Sequence, residues 1–337
     1  MGIVAGRFNA LLFAGVVVVT LALVACGEEP PSTPTPLAPT AYERSLHLFD
    51  YDQQAPLDLQ EVSVVEHRDG TTQLEITYAS PRGGRVPATL VVPDGPGPFA
   101  GLIFQHGCCG PGGFSARRQF VATAVSFART GAVVLLIDAP FARPENIGRD
   151  PITFTEQDRN DQIQLIVDLR RGVDLLTARG DVDQTRIAYV GISYGAGMGG
   201  LLAGVEKRVK AYVLAVGAGG LIDHFCDKTR KPYFCPVEPL TLELRRERWL
   251  KAMEPIEPIH FVGHAAPAAL FFQNARHDTS VEEGDALRYQ QAGSEPKRVK
   301  WYDSGHDLPT EAILDQVEWL QLQIGIDASS FQIPWNY

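Results

Sequence analysis

Positive charge is scarce in this chain: 30 Lys and Arg stand against 40 Asp and Glu, a formal net charge of −10. A surface of that sign repels phosphate, which excludes nucleic acid as a partner and electrostatic adhesion to anionic lipid, and leaves neutral substrates as the expectation. Metal-site patterns are missing too. His260-Phe261-Val262-Gly263-His264 spaces two histidines four apart but lacks the Glu of H-E-x-x-H and sits among Pro and Gly. Both histidines are expected at the surface. Cys108-Cys109 is accompanied by no C-x-x-C and no matched histidine pair, so neither metal nor organic cofactor is expected. No internal repeat is visible. What is present is the material of a globular enzyme: 337 residues, 45% hydrophobic, with 32 Gly and 24 Pro, enough to bury a full core.

The N-terminus carries one basic residue, Arg7, and then an apolar run from Ala10 to Ala25 that no charge interrupts, the pattern of a signal peptide. Its end, Leu23-Val24-Ala25-Cys26, resembles the bacterial lipobox, in which small residues precede a cysteine that is diacylated and becomes the new N-terminus. The resemblance implies removal of residues 1–25, a lipid on Cys26, and an exported lipoprotein anchored to a membrane and facing the periplasm or the cell exterior. A simple signal peptide or a retained transmembrane helix is the alternative. Residues 26–40 continue as a Pro-, Thr- and Glu-rich spacer, expected to stay extended and solvated, which leaves 41–337 as a single domain. Export places the remaining cysteines where disulfides form. Cys226 and Cys235, nine positions apart in a polar, Pro-containing stretch, are the candidate pair, with two free thiols as the alternative.

From Leu57 the pattern alternates between strand and helix. Val62–His67, Gln73–Tyr78 and Arg85–Val92 read as β runs separated by Asp69-Gly70 and Pro81-Arg82-Gly83-Gly84, turn signals that predict an antiparallel N-terminal edge. Strands are then expected at Gly101–Gln105, Ala132–Ile137, Arg186–Gly191 and Val209–Val216, with helices at Ala116–Arg129, about Thr155–Arg179 and Gly195–Val205 between them. That order specifies an α/β fold with a mostly parallel central sheet covered by helices on both faces. The rhythm breaks after Gly217, and residues 217–267 are expected to be an insertion over the site, with an amphipathic helix at Leu240–Met253. Arg245-Arg246-Glu247-Arg248 on that helix reads as a solvated face, with a lid as the alternative. Strand and helix resume at Ala268–Gln273, Val281–Gln291, Lys297–Tyr302 and Thr310–Ile324.

The chemistry concentrates in Gly191-Ile192-Ser193-Tyr194-Gly195, which lies between the strand IAYVG and the helix GAGMGGLLAG. A strand turning sharply into a helix strains the serine and leaves no room for side chains two residues to either side. The serine oxygen is then exposed at the carboxyl end of the sheet, beside a helix N-terminus that favours negative charge. A serine is a poor nucleophile at neutral pH, so a base must take its proton and a carboxylate must orient that base. His306, in Asp303-Ser304-Gly305-His306-Asp307, and Asp278, at the end of FFQNARHD, each follow a predicted strand and are expected on the same rim. Asp303 and Asp307 are too close in sequence to His306 to approach its ring from a separate loop, and Asp285 is expected on a helix. The oxyanion formed on attack needs two donors, expected to be the backbone N–H groups of Tyr194 and of Cys108 in His106-Gly107-Cys108. A tight turn with buried thiols is the alternative reading of HGCCG.

The segments IFQHGCCG, VVLLIDAP, VDQTRIAYVGISYGAG, FFQNARHDTSV and WYDSGHDL together resemble the dienelactone hydrolase and acetyl xylan esterase branch of the α/β-hydrolases over roughly residues 60–325. The resemblance implies an α/β-hydrolase fold, a serine esterase cleaving a neutral carboxylic ester, and Ser193, Asp278 and His306 as its triad. It also supports Cys108 beside Tyr194 as oxyanion donor. Dienelactone hydrolase itself carries cysteine where this chain has Ser193, so its lactone substrate is not implied. A peptidase related to prolyl oligopeptidase is a competing reading, although only about a hundred residues precede the HGCCG strand, too few for that family's propeller. A lipid-anchored binding protein without catalysis is another.

Overall fold

A computed structural model describes Gly2 and residues 40–67, 69–108, 116–226 and 240–334. The candidate signal peptide, Cys26, Cys109 and Cys235 lie outside those residues. Among the described residues no helix is long and apolar enough to cross a membrane.

Residues 40–334 belong to one compact unit built on a nine-stranded sheet. Its strands are β1 (Gln60–His67), β2 (Thr71–Ala79), β3 (Arg85–Pro93), β4 (Phe99–Gln105), β5 (Ala132–Ile137), β6 (Val182–Ile192), β7 (Ala211–Ala215), β8 (Ala269–Ala275) and β9 (Lys297–Tyr302). They lie in the order β1-β2-β3-β5-β4-β6-β7-β8-β9. The first three pair antiparallel with one another, and β3 pairs antiparallel with β5. From β5 to β9 all neighbours are parallel. The helices are α1 (Ala41–Ser45), α2 (Val121–Ala128), α3 (Glu156–Ala178), α4 (Tyr194–Val205), α5 (Leu221–Cys226), α6 (Leu240–Met253), α7 (Glu283–Ala292) and α8 (Thr310–Ile324).

Both faces of the parallel strands are covered, which is why β5 can be an unbroken apolar run, AVVLLI, with every residue buried. Its side chains alternate between two cores. Val133, Leu135 and Ile137 join Ile166 and Leu169 of α3 and Leu201 of α4, while Val134 and Leu136 join Phe127 of α2 and Val317 and Leu320 of α8. Each such aliphatic side chain contributes roughly 1.5–3 kcal/mol by leaving water.

The strand order sets the site. The chain leaves β4 toward β5 on one side, returns past it to β6, and leaves β6 toward β7 on the other side. Neighbouring β4 and β6 therefore send their connections in opposite directions, and a crevice opens at their carboxyl ends.

Within residues 217–267, α5 and α6 are followed by single turns between Glu254 and His264. The α6 helix lies against α3, held by Trp249, which is fully buried and donates from Nε1 to Asp158 Oδ2 at 2.8 Å. The same carboxylate accepts the Thr153 and Phe154 N–H groups at 2.9 Å, so one buried acid ties together α3, α6 and the loop before α3. Arg245 and Arg248 are exposed. His264 is exposed and stacks on Tyr42 at 3.6 Å between ring centroids; among the described residues no cluster of metal-ligating side chains occurs.

Candidate active site

Ser193 stands between β6 and α4 with φ +56° and ψ −116°, a conformation that costs a non-glycine residue on the order of 1–3 kcal/mol. The surroundings hold it there. Its N–H donates to Ala215 O of β7 at 2.8 Å. The glycines on either side are required by space: a Cβ on Gly191 would lie 2.3 Å from Gly195 O, and one on Gly195 would lie 2.4 Å from Gln105 O at the end of β4. The elbow is thus pressed against the strand that carries the HGCCG loop. A Cβ on Gly107 would come within 3.1 Å of Ser193 Cβ, which places the Cys108 peptide next to the serine.

His306 follows β9 and Asp278 follows β8. The His306 Nε2 is 3.0 Å from Ser193 Oγ, and its Nδ1 is 2.8 Å from Asp278 Oδ2. The Asp278 side chain is 1% exposed and the imidazole 28%, so the acid is shielded while the ring borders solvent. Asp278 Oδ1 accepts the N–H groups of Ser280 and Val281 at 2.8 and 2.9 Å, which aims the other oxygen at the ring. Asp303 pairs instead with His277 Nε2 at 2.7 Å, and Asp285 lies in α7, ion-paired with Arg288.

Tyr194 opens α4, where first-turn N–H groups have no acceptor within the helix. Its ring meets Phe141 edge-on at 5.4 Å. Burial, followed by the carboxylates of Asp161 and Asp158, pushes its hydroxyl well above the usual tyrosine range. Cys108 and Cys226 are both disulfide-bonded, and Cys108 packs at the margin of the larger core. Cys235, the candidate partner of Cys226, lies outside the described residues.

Two locks on the β4 loop have no local signature in the sequence. His106 is 1% exposed; Ala139 N–H donates to its Nε2 at 3.0 Å, so Nδ1 carries the proton and donates to Gly107 O at 2.7 Å. Burial lowers its pKa and keeps it neutral. Beyond residues 109–115, Arg117 donates its N–H to Asp138 Oδ1 at 3.0 Å and ion-pairs with Asp138 and Glu75. Below them, Arg143 pairs with Asp168 at 2% and 0% side-chain exposure, fixing the loop after β5. These partners are 21 to 42 residues apart. Only the buried Asp at the end of the apolar run VVLLID hinted at them.

No protein-family model matches the sequence, and no curated protein matches it. The fold does have solved relatives. The acetyl xylan esterase from Paenibacillus sp. R4 superposes with a TM-score of 0.67 at 19% identity, over 84% of this chain and 93% of that one. Acetyl xylan esterase 1 from Thermoanaerobacterium sp. JW/SL YS485 gives 0.64 at 16% identity, over 84% and 92%. The 2,6-dihydroxy-pseudo-oxynicotine hydrolase gives 0.56 at 18%, over 83% and 70%. The chain has the α/β-hydrolase fold.

Proposed function

We propose that the protein is a serine esterase that hydrolyses a neutral carboxylic ester through an acyl-enzyme. The observation that carries this reading is the relay of 3.0 Å from Ser193 Oγ to His306 Nε2 and 2.8 Å from Nδ1 to Asp278 Oδ2, with its serine on a strained elbow. As Oγ attacks the carbonyl carbon, Nε2 takes its proton, and Asp278 stabilises the imidazolium. The developing oxyanion is received by the N–H groups of Tyr194 and Cys108; removing one such donor costs about 3–4 kcal/mol of transition-state stabilisation. Collapse expels the alcohol, which takes the proton from Nε2, and water repeats the sequence on the acyl-enzyme. No step requires a metal or an organic cofactor. Both acetyl xylan esterases among the solved relatives support an ester of a small or polymeric alcohol as the substrate.

Replacing Ser193 with Ala is expected to abolish release of p-nitrophenol from short-chain esters and labelling by a fluorophosphonate; undiminished turnover would refute the assignment. We also infer that residues 1–25 are removed and Cys26 is lipidated, placing the enzyme on a membrane facing the periplasm or exterior. Support comes from the charge-free stretch before Leu23-Val24-Ala25-Cys26. Labelled palmitate should be incorporated by the full chain and not by Cys26→Ala.

A further inference from the structure

A groove runs between α3 and α6. Two open cavities lie along it, of about 710 Å³ and 510 Å³, and they share Glu156, Asn160 and Arg248, so they adjoin as one groove. Its upper part is lined by Leu244 and Arg245, its lower part by Arg159 and Lys251. Four cations thus face a single carboxylate, Glu156, in a chain whose formal net charge is −10.

Three of these charges are uncommitted. Among the described residues the side chains of Arg159, Arg248 and Lys251 make no hydrogen bond or ion pair. Arg245 donates to the carbonyl oxygens of Thr153 and Phe154, which steadies the guanidinium without neutralising it. Along α6 the cations at 245, 248 and 251 recur every three residues, about 4.5 Å of helix rise, a spacing comparable to one ring of a sugar chain.

The α3 wall of the groove starts at the carboxyl end of the sheet. The α3 helix starts after the loop leaving the carboxyl end of β5, so its first turn lies on the edge that carries Ser193. Asp158 and Asp161 of its first two turns act electrostatically on Tyr194, the residue after the serine. The positive end of the α3 dipole adds to the field at the groove's mouth.

We propose that this groove holds the carboxylate-bearing part of a polymer chain whose ester is cleaved at Ser193, so that the substrate is an acylated acidic polysaccharide of the uronic-acid class. This rests on the esterase reading above. A polymer is favoured over an anionic lipid surface because the cations follow a groove between two helices, the shape of a strand, and do not stand on one flat or protruding face.

The test uses the whole soluble chain from Thr40 and the double variant Arg248→Glu, Lys251→Glu, assayed on acetylated polygalacturonate, on a neutral acetylated xylan and on p-nitrophenyl acetate. The variant is expected to lose about ten-fold in kcat/KM on the acidic polymer, through KM, with a wild-type preference that fades at high salt. The two neutral substrates should be unaffected. An unchanged KM on the acidic polymer, or an equal loss on all three substrates, would overturn the proposal, as would retention of phosphatidylglycerol vesicles and not of the polymer. Retardation by unacetylated polygalacturonate in affinity electrophoresis reads the groove without catalysis. A chain retarded by that polymer yet inert to fluorophosphonate would sink the esterase reading and leave the groove standing.

Discussion

Gly195 is the position where fold and chemistry can be separated by one methyl group. It is the second residue of α4, and a Cβ there would lie 2.4 Å from Gln105 O, about 1 Å inside ordinary van der Waals contact, which begins at 3.4 Å, and 2.8 Å from His106 O. Both obstacles are backbone atoms of the segment that carries the Cys108 N–H, so no side chain can swing aside. Gly195→Ala must push the helix and the end of β4 apart. Overpacking of this kind costs about 1–3 kcal/mol, offset by up to about 1 kcal/mol from the better helix propensity of alanine, so the net loss of stability should be small. Catalysis should suffer more, because a displacement near 1 Å between serine and oxyanion donors costs on the order of a hundredfold in rate. The assay is kcat on p-nitrophenyl acetate alongside a urea midpoint, with Gly180→Ala as control, since a Cβ on Gly180 meets nothing within 4 Å. Wild-type turnover from a folded Gly195→Ala enzyme would refute the reasoning that the elbow and the β4 loop are in forced contact.

Asp278→Asn should preserve the fold and lower kcat by about 10⁴, because an amide facing His306 Nδ1 favours the tautomer that cannot accept the serine proton; steady-state kinetics on a short-chain ester reads this. Asp168→Ala removes the partner of Arg143, which is 2% exposed, and should destabilise by about 3–5 kcal/mol in urea unfolding, whereas Ala at Glu61, an exposed acid, should change little. Glu257, 6% exposed, accepts the Ile222 N–H at 2.9 Å, and burial raises its pKa from 4.5 to about 8. The folded state therefore keeps a proton that the unfolded chain releases, so stability falls as pH rises from about 4.5 to 8, by a few kcal/mol in order of magnitude. Glu257→Gln should flatten the stability profile in that window, and an unaltered slope would show that the carboxyl is not held protonated.

Much of this architecture can be read along the chain because its signals are local. An unbroken apolar run such as AVVLLI tolerates no solvent on either face, and the glycines at 191 and 195 record the crowding of a strand-to-helix turn. The antiparallel edge announces itself through its turn residues. The α6 helix over Leu240–Met253 follows from its apolar spacing. Other features have no such trace: nothing in the run of β4 residues reveals that β5 lies between it and β3, and nothing near Trp249 indicates that its indole closes on Asp158.

Local chemistry in the sequence thus determined which elements form, which residues they bury, and that a serine, an acid and a histidine each follow a strand. Tertiary structure alone decided that the three side chains meet, because their distance depends on strand order and not on separation along the chain. It also decided how the β4 loop is held. Buried charges such as Arg117 with Asp138 and Arg143 with Asp168 are stable only as pairs, and a pairing between distant residues exists only once the sheet has brought them together.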